Sequence, residues 1–162
     1  MSQRTQSIMF FLSALLFALL FFIPLAEYLG ELNILRFNAF GIESLMPDGE
    51  IPFGKMFALP VLILTVTAVL LGAYLSISLM KAVKMVQFQR LHRIACIDIV
   101  IVVAWIAVVF AYYIRAVGRP ILAEPDLHVG AFLPLVALLM VMLGAGGLKK
   151  DIKKVRAMDR IR

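Results

Sequence analysis

The chain contains one cysteine, one tryptophan and two histidines in 162 residues, and only 16% of its positions are charged. A single cysteine excludes an intrachain disulfide and any zinc site built on thiolates. Soluble domains carry about 25% charged and about 45–50% apolar residues. This chain is 63% hydrophobic with a mean hydropathy of +0.99, which excludes disorder, a collagen-like repeat and an ordinary soluble enzyme. It also lacks a Ser-His-acid set, a strand-borne phosphate loop and a His-Glu-x-x-His pair. Gly144-Ala145-Gly146-Gly147, ahead of Lys149 and Lys150, superficially resembles a phosphate loop. It closes a helical run instead of following a strand, so it is rejected. No catalytic residue, metal site or cofactor is expected, and the chain reads as a non-enzyme.

What is abundant is long apolar sequence. Four runs reach the about 20 residues that cross a bilayer core as a helix: residues 7–27, 57–80, 94–114 and 129–148. Each is apolar on all sides, without the alternation of a membrane β-barrel strand. The sequence therefore predicts an all-α membrane protein, a single four-helix transmembrane bundle over residues 1–162 with a basic tail at 149–162. The first run is read as a retained span, because its apolar stretch exceeds the 7–15 residues of a signal peptide and lacks the small residues of a cleavage site.

Basic residues near span ends tend to stay in the cytoplasm. Arg4, the 81–93 connection and the tail share one side and hold twelve Lys or Arg; Arg36, Lys55, Arg115 and Arg119 lie on the other. Both termini are thus expected in the cytoplasm. The formal charge of +6 becomes an orientation: about +10 inside and −3 outside, with Asp98 contributing the remainder.

The outer loop from about Tyr28 to Met56 holds a strand-compatible stretch at residues 32–40 and a turn at Met46-Pro47-Asp48-Gly49. A short β-hairpin forming an amphipathic cap over the helix ends is favoured over a binding site. Its acids, Glu27, Glu31, Glu43, Asp48 and Glu50, lack the spacing of a calcium loop and read as a solvated face. Pro60 and Pro134 stand near span starts, where a missing N–H costs little. His92 and His128 fall at opposite membrane faces and cannot share one metal or haem.

Three sets of residues are candidate sites. Asp98 is the one ionisable residue clearly inside a span, and such acids are functional candidates by default. It lies five residues beyond Arg93, about 7.5 Å along a helix, and a structural bond to Ser76, Ser78 or Arg4 on a neighbouring helix is favoured over an ion relay. Ala68, Gly72 and Ser76 recur every fourth residue and form a helix-packing face, either within the bundle, the favoured reading, or between copies. Ala14 with Ala18, and Ala107 with Ala111, repeat that spacing. Lys149, Lys153, Arg156 and Arg160 form a basic stripe on a continuing helix, suited to anionic headgroups of the inner leaflet or to an acidic partner.

Four stretches together resemble a known family: Gln3-Arg4-Thr5-Gln6, Phe22-Ile23-Pro24-Leu25-Ala26-Glu27, Gly130-Ala131-Phe132-Leu133-Pro134-Leu135, and residues 155–162. They are similar to a Bacteroidota family of small four-span inner-membrane proteins, domain of unknown function 4293. The resemblance extends over essentially the whole chain, with weaker agreement in the outer loop and around Arg90. It implies a bacterial cytoplasmic (inner) membrane location and carries over no catalytic residue.

The expectation is a structural or accessory subunit of a larger inner-membrane complex, with protein-export or envelope machinery as candidate partners, lipids at the basic face and no DNA. The alternative is a small transporter or channel using Asp98, which the apolar midplane disfavours. A lipid or quinone enzyme ranks last, since no base or nucleophile is in evidence.

Overall fold

The structure is a computed structural model that describes residues 3–31, 33–47, 49–54, 56–82 and 84–159, with side chains to 157. Four long helices form its body: α1 (Gln3–Leu19), α2 (Leu59–Lys81), α3 (Met85–Val108) and α5 (Leu133–Asp159). The short α4 (Ile114–Gly118) continues α3 through a π-helical turn at Val109–Tyr113. Each of α1 and α3 packs against both α2 and α5, so the helices stand in a square with α1 diagonal to α3. Among the described residues, three helical stretches are long and apolar enough to cross a membrane: Leu59–Lys81, Met85–Ile121 and Val129–Ala157.

Helix boundaries depart from the apolar runs where local chemistry intervenes. The first run leaves the helix at Leu19, well before Glu27. Pro24 disfavours helical backbone at Ile23, and Ala26–Leu29 is taken into a sheet as β1. The third helix instead starts nine residues earlier than its apolar core, at Met85, where the Gln87 side chain accepts the Lys84 backbone N–H at 3.0 Å. Pro60 stands in the first turn of α2, where its missing donor is harmless. At the chain's far end α5 runs through the basic tail unbroken to Asp159.

The expected hairpin is part of a larger cap. β1, β2 (Ile34–Phe37), β3 (Ile42–Ser44) and β4 (Pro125–Leu127) form an antiparallel sheet in the order β3-β2-β1-β4. The reversal between β2 and β3 is closed by Asn38 and Gly41, whose backbones bond each other in both directions. Residues 46–49 turn as expected, with Gly49 N–H bonded to Met46 O at 3.2 Å, although Asp48 lies outside the described residues. β4 comes from the connection between α3 and α5 and was not legible as a strand: it is three exposed residues beginning with proline. Its partner β1 supplies the template, with Ala26 opposite Leu127.

Alternation places Ala26, Tyr28, Leu35 and Phe37, all fully buried, on the face turned to the helices. They join Phe17, Leu20, Trp105, Val109 and Val117 in one core. Trp105 donates to Thr65 Oγ1 at 2.8 Å and meets the Phe17 ring edge-on at 5.8 Å, bridging the diagonal. A second core, with Phe10, Leu75, Leu79, Leu91, Val141 and Leu148, fills the opposite end.

Candidate functional site

Small residues set how closely the helices approach. Gly72 lets α1 lie against α2, because a Cβ there would stand 3.0 Å from Ala14 Cβ and 3.2 Å from the Phe10 carbonyl oxygen. Ala68 and Ser76 are buried on the same face. The Ala68–Gly72–Ser76 row thus packs within this chain and is covered by α1, leaving nothing of it for a second copy. Ala107 and Ala111, in contrast, are exposed.

That close approach also determines the fate of the intramembrane polar residues. Ser76 Oγ lies 3.0 Å from Ser7 Oγ, and Ser7 also donates to the Ser76 carbonyl at 2.8 Å. Asp98 lies on the buried face of α3 between Ala95 and Val102. It is 1% exposed, and among the described residues neither carboxylate oxygen has a hydrogen-bond partner. The expected bond to Ser76 or Arg4 is not made. Ser76 is turned to α1, which is diagonal to α3, and Arg4 is exposed. Residues favoured as one polar cluster are therefore dispersed.

At the end carrying the chain's basic tail, α1 contributes polar groups that composition alone did not single out. Gln3 Nε2 donates to the carbonyls of Leu79 and, at 3.0 Å, Ala82, joining the Ala82 N–H at the Leu79 carbonyl where α2 ends. Gln6, fully buried, donates from Nε2 to Asp151 Oδ2 at 2.6 Å. A Cβ at Gly147 would stand 2.8 Å from Gln6 Nε2, so the glycine makes room for this amide. A glutamine near the start of an apolar run is the only signal that was available for this joint.

The basic stripe is real as a surface: Lys149, Lys153 and Arg156 are exposed on successive turns of α5. Arg160 lies outside the described residues. The structure adds what the sequence did not connect to the stripe. Gln89, His92 and Arg93 of α3 face it across a groove of about 310 Å³ floored by Ile152. The spacing i, i+3, i+4 on α3 and i, i+4, i+7 on α5 puts each set on one helix face.

At the sheet end, polar residues form a row across the solvent face. Glu43, Arg36, Glu27 and Asp126 are in register across the four strands. Arg36 Nε lies 2.7 Å from Glu27 Oε1, and His128 Nε2 3.3 Å from Oε2. The Arg36 guanidinium, helped by His128, holds the Glu27 carboxyl below the usual range. Glu27 is thus paired, not one member of a free acidic face. On the other face, Tyr28 donates to the Ile114 carbonyl at 2.8 Å, and burial pushes its hydroxyl pKa up. His92 and His128 sit at opposite ends, and among the described residues no three His, Cys, Asp or Glu gather as a metal site would require.

A family model described as a domain of unknown function (DUF4293) matches residues 2–161. No curated protein matches the chain.

Proposed function

The chain belongs to the DUF4293 family, whose description assigns no activity, and we propose that it is a non-catalytic accessory subunit of a larger inner-membrane complex. α1, at 17 residues, serves as the fourth span alongside the three longer ones, within the range that crosses a bilayer. The basic end, with both termini, faces the cytoplasm, because Lys and Arg concentrate there, and the sheet caps the outer side.

One observation carries this reading: the bundle is packed inside and apolar outside. Two apolar cores fill the space between the helices, while Leu70, Val100 and Leu139 are each about 60% exposed or more around the perimeter. Such a body offers helix faces to lipid and to other membrane proteins. Grooves of about 380 and 400 Å³ open at the sheet end, around Phe40 and Ile51 and around Gly30 and Ile121, away from the span centres. Cross-linking in native membranes, followed by mild-detergent purification and mass spectrometry, tests the proposal. A reproducible membrane-protein partner at fixed stoichiometry is expected; a lone monomer under those conditions overturns it.

Asp98 favours a second reading, a small transporter, because an unpartnered buried carboxylate within a span marks proton and ion paths. An Asp98→Asn strain that matches the wild type in growth and ion flux eliminates it.

A further inference from the structure

We infer that the groove between the start of α3 and the end of α5 is a headgroup site for an anionic phospholipid, one that carries two phosphates. Arg93 from α3 and Lys149, Lys153 and Arg156 from α5 line it, with Gln89 and His92 as further polar groups on its α3 wall. Four formal positive charges meet there, and among the described residues no carboxylate lines the groove. Asp151 of α5 is turned to the opposite side of the helix, where Gln6 holds it. A groove whose described charged residues are all cationic, placed where a helix bundle leaves the bilayer, has the composition of a lipid-phosphate pocket.

The surroundings favour a lipid over a soluble anion. Ile152 floors the groove, and the α3 and α5 surfaces leading away from it are apolar and exposed at Ile97, Val100, Leu139 and Met142. Acyl chains can lie along those residues while the phosphates sit among the cations. A single phosphodiester carries one negative charge and leaves most of the groove uncompensated, whereas a diphosphatidyl lipid supplies two charges on one short glycerol bridge. The site deepens the accessory reading above, since a specific lipid at this end would orient the bundle for a partner. It stands apart from that reading in the test, because lipid binding in detergent requires no partner protein.

The decisive comparison keeps total charge constant. Full-length protein in a neutral detergent is titrated with cardiolipin, phosphatidylglycerol or phosphatidylcholine, and bound lipid is counted by native mass spectrometry. Cardiolipin is expected to bind at one copy per chain, more tightly than phosphatidylglycerol, with phosphatidylcholine weakest. The pair Arg93→Gln with Lys153→Gln is expected to weaken cardiolipin about 25-fold, at about fivefold per cation. The pair Lys150→Gln with Lys154→Gln removes the same charge outside the groove and is expected to change binding less than about threefold. Equal losses in the two pairs, equal binding of cardiolipin and phosphatidylcholine, or displacement by millimolar inorganic phosphate overturns the lipid site. Equal binding of cardiolipin and phosphatidylglycerol overturns the two-phosphate assignment. A measurement on the unmutated chain stands beside these: cardiolipin is expected to protect Lys149 and Lys153 from acetylation while Lys150 remains reactive, and uniform reactivity counts against the site.

Discussion

Gln6 and Asp151 are 145 residues apart in sequence and 2.6 Å apart in space, one amide donating to one carboxylate across the α1–α5 contact. This bond clasps the first helix to the beginning of the basic tail. Gln6→Ala leaves the Asp151 carboxylate without its donor and opens a void under Gly147. We expect a loss of about 1–2 kcal/mol, read as a lower thermal unfolding midpoint in mild detergent. An unchanged midpoint shows that water replaces the bond at no cost.

Two glycines of α5 separate packing from helix propensity. A Cβ at Gly144 would stand 2.8 Å from Cζ of the fully buried Phe10 ring, while one at Gly146 meets nothing within 4 Å. Gly144→Ala is expected to destabilise by about 1–3 kcal/mol through overpacking. Gly146→Ala is expected to be neutral or to stabilise by up to about 1 kcal/mol. Similar thermal shifts for the two variants would mean that α1 does not lie against α5 here.

Acid should loosen the sheet end first. Glu27 has its folded pKa held below the ordinary 4.5 by Arg36 and His128. A depressed folded pKa contributes stability above the unfolded value, and that stability is lost as pH falls through the folded one. The protection of the Ala26–Leu29 amides against hydrogen exchange, relative to the intrinsic rate at each pH, should therefore fall below about pH 4.5. Glu27→Gln should already be less protected at neutral pH and show a weaker acid dependence of that protection.

Asp98 sits in the bundle with no hydrogen-bond partner among the described residues, so Asp98→Asn exchanges a costly group for a neutral one of the same shape. Its thermal midpoint is expected to equal or exceed that of the wild type. A marked drop would reveal a cation or donor that Asp98 engages.

Orientation is read by labelling. In a Cys96→Ser background, Leu122→Cys at the sheet end, where the native side chain is 96% exposed, should react with an impermeant maleimide added outside intact cells. Lys150→Cys should react only after the membrane is opened. The reverse pattern inverts the proposed topology.

Much of this architecture was legible in the sequence because membrane insertion is a local property: about twenty apolar residues suffice to define a span, whatever they later touch. Leu59–Lys81 differs by only two residues at the start and one at the end from the apolar run that announced it. The strand-compatible stretch at residues 32–40 likewise carried the amphipathic cap, although Ala26 and Glu27, read as the end of the first span, turn out to belong to its strand β1. Legibility failed wherever the deciding partner was distant. Pro125–Leu127 has no strand character of its own and becomes β4 only because β1 offers an unpaired edge.

The candidate sites divide along the same line. Charge density alone made the tail stripe visible, yet Arg93 and His92 join it only because α3 and α5 are neighbours in the square. Ser76 and Asp98 looked like partners since both are polar residues of the spans, but the helix order set one toward α1 and the other into an apolar stretch of α3. The sequence by itself determined where the chain is apolar for long enough to cross a membrane, and how unevenly its charge is divided between the two ends. Those are sums over consecutive residues, set by transfer free energies that each side chain carries wherever it is. Only the tertiary structure decided which polar groups meet, because hydrogen bonds and ion pairs form within about 3 Å, and that proximity depends on which helices are adjacent.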